Sequence, residues 1–93
     1  MRPLSKARLK RAAEIFRSYG AAEVYLFGSY ATGKAEGLSD VDFAVAGLPS
    51  SNFFPAMGRA IEELGRTIDV VNLDRETPFT SLLKGRGELV RLV

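Results

Sequence analysis

The 93-residue chain contains neither cysteine nor histidine. That excludes a thiolate nucleophile, an imidazole base, a disulfide and the usual zinc sites. What remains for chemistry is carboxylates, hydroxyls, lysines, arginines and backbone amides, a set suited to hard cations and phosphates. Long apolar runs are also missing: the best stretch, Ala21 to Phe27, is interrupted by Glu23 and falls far short of the ~18 residues of a membrane span. A soluble cytoplasmic protein without membrane contact is the expectation. Proline and serine do not cluster into a linker, and there is no internal repeat or low-complexity tract. The reading is therefore one domain over residues 1–93, which buries roughly two-thirds of the surface of its unfolded chain.

Neither sign of charge dominates overall, the net being +2, but six of the thirteen basic residues fall in the first seventeen positions: Arg2, Lys6, Arg8, Lys10, Arg11 and Arg17. Glu14 interrupts this run and no linker follows it, against a transit peptide. A basic stripe of this kind either meets nucleic-acid phosphates or is a solvated helix face, and the second is the commoner case.

The pattern of apolar residues lays out the elements. Leu9, Ala12, Ala13, Phe16 and Tyr19 recur at helical spacing between Leu4 and Tyr19, with Gly20 as the stop. Glu23–Phe27 reads as a strand, followed by a loop. Asp40–Ala46 is a second strand, alternating around Val41, Phe43 and Val45. Asn52–Leu64 is a helix, with Asn52 as its cap and Gly65 as its stop. Thr67–Leu73 is a third strand, a short helix runs from Thr77-Pro78 to Lys84, and Glu88–Leu92 is extended. The predicted class is α+β, a small mixed sheet with helices packed on it.

Three aspartates occupy positions that strands usually deny them. Asp40 and Asp42 alternate onto one face of the second strand, and Asp69 joins them if the third strand lies alongside in matching register. Three converging carboxylates repel one another and call for a cation, Mg²⁺ or Mn²⁺ for an all-oxygen set. The alternative is structural: Asp40 capping a turn after Ser39, Asp42 solvated at an edge, Asp69 in a fold-supporting hydrogen bond. Ahead of them runs Phe27-Gly28-Ser29-Tyr30-Ala31-Thr32-Gly33-Lys34, whose glycines and hydroxyls suit a phosphate cradle or simply shape a turn. Gly28, four residues, then Gly33-Lys34 also spells most of a P-loop. Ala35 stands where that motif needs Ser or Thr, and Gly37-Leu38-Ser39 breaks the helix that must follow.

Gly28-Ser29, a ten-residue gap, Asp40-Val41-Asp42 and a further aspartate at Asp69 resemble the nucleotidyltransferase superfamily that includes DNA polymerase beta. The size and the text Leu26-Phe27-Gly28-Ser29 and Ser39-Asp40-Val41-Asp42-Phe43 resemble its minimal nucleotidyltransferases. The resemblance covers nearly the whole chain and implies transfer of a nucleotide from an NTP to a hydroxyl with release of pyrophosphate. It implies that Gly28 and Ser29 hold the triphosphate, that Asp40 and Asp42 bind two metal ions, and that Asp69 helps place the catalytic metal and deprotonates the acceptor. Relatives commonly carry arginines after Gly-Ser where this chain has Tyr30 and Thr32; Lys34 is the candidate to supply that charge. Many such proteins resemble antitoxins that silence a HEPN-domain ribonuclease toxin by adenylylating a tyrosine with ATP. Two other readings stand beside this one: a module that inhibits a partner by contact, and an RNA nucleotidyltransferase. Phe53 and Phe54, adjacent on one helix, cannot both face a narrow core stripe, so one of them, with parts of Phe79-Leu82-Leu83, is a candidate docking patch.

Overall fold

A computed structural model describes residues 3–37 and 39–93. Arg2 of the basic opening and Leu38 of the Gly37–Ser39 break lie outside the described residues. The elements are α1 (Lys6–Ser18), β1 (Glu23–Phe27), α2 (Ser29–Thr32), β2 (Val41–Ala46), α3 (Ser50–Leu64), β3 (Ile68–Asn72), α4 (Pro78–Arg86) and β4 (Val90–Arg91). The sheet order is β3-β2-β1-β4. β1 pairs antiparallel with β2 and with β4, whereas β2 and β3 are parallel. Parallel neighbours need a crossover, and α3 is that crossover.

Period-2 alternation divides the sheet into two faces. Val24, Leu26, Val41, Phe43, Val45 and Ile68 point to one face, where Leu9, Ala12, Ala13 and Phe16 of α1 and Ala56, Ala60 and Leu64 of α3 close the main core. Phe16 meets Phe43 there at 5.4 Å between ring centroids. On the other face Ala44 packs with Leu73 and with Leu83 of α4, flanked by Tyr25, Phe27, Ala46 and Val71. By the same alternation Asp42 and Asp69 belong to this second face.

Local chemistry explains most helix ends. Ser5 accepts from the Arg8 amide at the start of α1, and Thr77 and Thr80 cap α4 reciprocally. Gly65 ends α3 in the left-handed conformation at φ 66°. Three expectations need correcting. Asn52 does not cap α3: the helix starts at Ser50, and the Asn52 side chain donates to the Tyr19 carbonyl at 2.7 Å, tying α3 to the end of α1. The segment after β1 is not all loop, because Ser29–Thr32 forms a helical turn between Gly28 and Gly33; four residues carry no periodicity to read. The second strand also starts one residue later than expected, leaving Asp40 just outside it.

Part of the basic stripe on α1 is structural. Arg8 donates to the Glu63 carbonyl in the last turn of α3 at 2.7 Å, satisfying an acceptor that helical geometry leaves open, and Arg11 approaches Glu63 at 3.7 Å. No helix among the described residues is long and apolar enough to cross a membrane.

Candidate active site

β1 delivers Gly28 and Ser29 to one end of the sheet, and β2, running back alongside it, starts from the same end. Phe27 therefore lies opposite Asp42. On the other flank of β2 the parallel register sets Asp42 directly against Asp69, with backbones about 4.8 Å apart as neighbouring strands are.

The consequence is electrostatic. Asp42 is half-buried and its pKa rises from the ordinary 3.8 to about 6. Burial is the largest cause, followed by the facing Asp69 through charge and hydrogen bonding, then by the charge of Asp40. Loss of hydration and like charge both disfavour the ionised form. Asp40 and Asp69 are both exposed. The structure thus brings Asp42 and Asp69 together and leaves Asp40 outside the pair; among the described residues no three acidic side chains are already arranged around a common ion position.

Gly28 makes room beside this pair. It adopts φ 70° and ψ −150°, a region essentially reserved for glycine. A Cβ built there would fall on Asp42 Oδ2, so the backbone of residue 28 rests directly against the carboxylate. The next residues curl into α2, whose leading amides lack intrahelical acceptors. Ala31 and Thr32 both donate back to the Gly28 carbonyl, at 3.1 and 3.2 Å. That leaves the Ser29 and Tyr30 amides at the head of the turn. A small backbone cradle abutting an oxygen-only, anionic pair fits a hard divalent cation and the phosphates it neutralises.

The other expected residues take different places. Lys34 follows the Gly33 cap, exposed, with its amide donating to the Ser29 carbonyl at 3.0 Å, and the ion pairs among the described residues, Arg11–Glu63 and Arg59–Glu62, do not include it. Thr32 bonds weakly back to the Gly28 and Ser29 carbonyls, each at 3.4 Å. The Tyr30 hydroxyl accepts from the Leu4 amide at 3.0 Å and from Arg66 at 3.2 Å. Sequence reasoning passed over Arg66, although its position between the Gly65 stop and the strand of Asp69 was a signal. A cleft of 330 Å³ between α1, α2 and β4, lined by Leu4, Leu9, Leu26, Tyr30 and Val90 among others, touches none of the three aspartates.

The two halves of the expected docking patch have different neighbours. Phe54 is 77% exposed beside Ser50, Asn72 and Arg75, while Phe53 packs partly into the core. Phe79 of α4 is 47% exposed and Leu82 49%, whereas Leu83 is buried. Phe79 meets Phe27 edge-on at 5.8 Å, which puts an exposed ring next to the strand end that faces Asp42.

The chain matches the polymerase beta nucleotidyltransferase family over residues 10–90 and belongs to it. No curated protein matches it in sequence. Among solved structures it is similar to a toxin–antitoxin complex with AMP-PNP, at a TM-score of 0.73 and 21% identity over 97% of this chain and 73% of that chain. It is similar also to the complex of tri-AMPylated Shewanella oneidensis HEPN toxin with MNT antitoxin, at 0.69 and 18% over 97% and 72%. A third similar structure is the toxin–antitoxin MntA–HepT, at 0.68 and 17% over 96% and 72%. At these identities the likeness is one of fold, and it agrees with the α+β class and mixed sheet described above.

Proposed function

We propose that this nucleotidyltransferase moves AMP from ATP to a tyrosine hydroxyl of a HEPN-domain ribonuclease toxin in the cytoplasm, and so acts as its antitoxin. The observation that carries the reading is the in-register pair Asp42–Asp69 with the Gly28 backbone set against Asp42. The similar complexes, one with a nucleotide analogue and one with an AMPylated toxin, support the choice of donor and acceptor.

In this reading Asp42 and Asp69, with Asp40 from the adjoining loop, would hold Mg²⁺ or Mn²⁺. The ions would supply charge for the attacking and leaving oxygens of an in-line displacement, chemistry that needs no histidine. Gly28 and Ser29 receive the triphosphate on backbone amides and a hydroxyl, and Lys34 adds positive charge beside them. The tyrosine oxygen attacks the α-phosphorus of ATP and its proton passes to the Asp69 carboxylate. The bond from the α-phosphorus to the bridging oxygen breaks, and diphosphate leaves with the electron pair. Templated polymerisation would need a duplex-holding surface, and Arg8 and Arg11 of the basic stripe are already engaged with α3.

The test is incubation with labelled ATP, Mg²⁺ and the candidate toxin, followed by mass spectrometry. One or more AMP units on a toxin tyrosine is the expected result. Label on RNA ends with an unmodified toxin would make the protein an RNA nucleotidyltransferase, and tight binding with no label anywhere would make it a contact inhibitor.

A further inference from the structure

We propose that Arg66 is a positioning residue that holds the phosphate-binding turn and the Asp40 loop at a set separation, a role that rests on the nucleotidyl-transfer reading and extends it. Arg66 is the first residue past the Gly65 cap of α3, so its place is determined by the helix end, and it precedes by three positions the Asp69 that lines up with Asp42. One guanidinium nitrogen, Nη1, donates to the Tyr30 hydroxyl at 3.2 Å and to the Ser39 carbonyl at 3.3 Å. Tyr30 directly follows Ser29, and Ser39 directly precedes Asp40. A single side chain therefore links three segments: the one that carries the triphosphate contacts, the one that carries Asp40, and its own, which carries Asp69.

Among its described residues the loop leading to Asp40 has few other hydrogen bonds. Its Glu36 and Ser39 bond each other reciprocally, Ser39 amide to Glu36 carbonyl at 3.0 Å and Glu36 amide to Ser39 Oγ at 2.8 Å. Those two bonds join Glu36 to Ser39. Among the described residues of 35–40, the hydrogen bond that ties this turn to the body of the fold is the one from Arg66. The Tyr30 end is anchored more firmly, because the same hydroxyl also accepts the Leu4 amide. Arg66 is half-buried and takes no part in the ion pairs among the described residues. Its charge is met by neutral oxygens, and it remains a net positive group at the sheet end where the aspartates gather. A planar guanidinium can serve two acceptors at fixed angles, which a lysine ammonium on a flexible stem does less well.

Three variants separate positioning from mere support of the fold. Arg66→Met keeps the apolar stem and should lower kcat/KM for AMP transfer about tenfold or more, as loss of a charged hydrogen bond transmitted to the site would. It should also weaken Mn²⁺ binding, measured by titration calorimetry, and speed amide hydrogen exchange in residues 34–40. Arg66→Lys should restore part of each. Tyr30→Phe leaves the Ser39 contact in place, and should raise the KM for ATP while exchange in 34–40 stays near wild type. Unchanged exchange and unchanged Mn²⁺ affinity in Arg66→Met would overturn the proposal. So would a general loss of thermal stability that Arg66→Lys does not relieve. If the wild type transfers no AMP, the functional reading fails, and the exchange and Mn²⁺ measurements still decide whether Arg66 sets the loop.

Discussion

Replacing Asp42 with Asn should have opposite effects on stability and on activity. The rise of the Asp42 pKa from 3.8 to about 6 corresponds to about 3 kcal/mol at 1.36 kcal/mol per unit. Asp42 is only half-buried and solvent screens its neighbours, so about 1 kcal/mol is the magnitude to expect in solution. The sign follows from linkage: a carboxyl whose pKa is higher in the folded state contributes stability that is complete below 3.8 and lost as the pH rises through about 6. At pH 7.5 without divalent metal the wild type bears that loss in full, and Asp42→Asn, uncharged at every pH, does not. The variant should melt about 4–8 °C higher for each kcal/mol relieved in a domain this small. The advantage should shrink steadily between pH 7 and pH 4. Adding Mg²⁺ should stabilise the wild type and leave the variant unmoved, while AMP transfer by the variant falls at least ~100-fold, the size of effect seen when electrostatic stabilisation is removed from a reaction. Thermal melts at pH 4, 5.5 and 7.5 with EDTA or Mg²⁺, alongside the labelled-ATP assay, check every step. A variant less stable than wild type at pH 7.5, or a difference that does not change with pH, would show that Asp42 is a structural hydrogen-bond partner and that the repulsion argument is wrong.

Gly28→Ala should reduce transfer strongly and cost about 1–3 kcal/mol in stability, because φ there is 70° and the new methyl group meets Asp42 Oδ2; a fully active, fully stable variant would contradict the cradle. Phe79→Ser, at a ring already 47% exposed, should leave the melting temperature within a few degrees and weaken toxin binding measured by calorimetry, and unchanged affinity would remove α4 from the docking surface. Thr77→Ala removes the cap on the Thr80 amide and should lower stability by about 1 kcal/mol with AMP transfer retained, as read by denaturant unfolding and the same transfer assay.

How far the sequence could be read depended on how local each signal was. The strands of Val41–Ala46 and Ile68–Asn72 and the helix ending at Gly65 are announced by alternation, helical spacing and a glycine stop within a few residues of one another. The turn Ser29–Thr32 is too short to show a period, and Asn52, a good cap by residue type, was diverted to the Tyr19 carbonyl thirty-three positions away. Tyr30 looked like a replacement within a phosphate loop. In the fold its hydroxyl accepts from Leu4 and Arg66, so it ties the Ser29–Thr32 turn to those two segments.

By itself the sequence determined the kind of chemistry and its raw materials. Without cysteine or histidine, side-chain chemistry is left to carboxylates, hydroxyls, lysines and arginines, and the two-residue step from Asp40 to Asp42 sets both toward one side only where the backbone is extended, which in the fold begins at Val41. Which carboxylate would oppose Asp42 was decided only by tertiary structure. The register that sets it against Asp69 comes from the seating of α3 against the main core, and a slip of one residue would have turned Asp69 to the opposite face. The same is true of Arg66, whose hydroxyl and carbonyl partners lie 36 and 27 residues away. Contacts at such separations depend on how whole elements pack, and no short stretch of sequence encodes them.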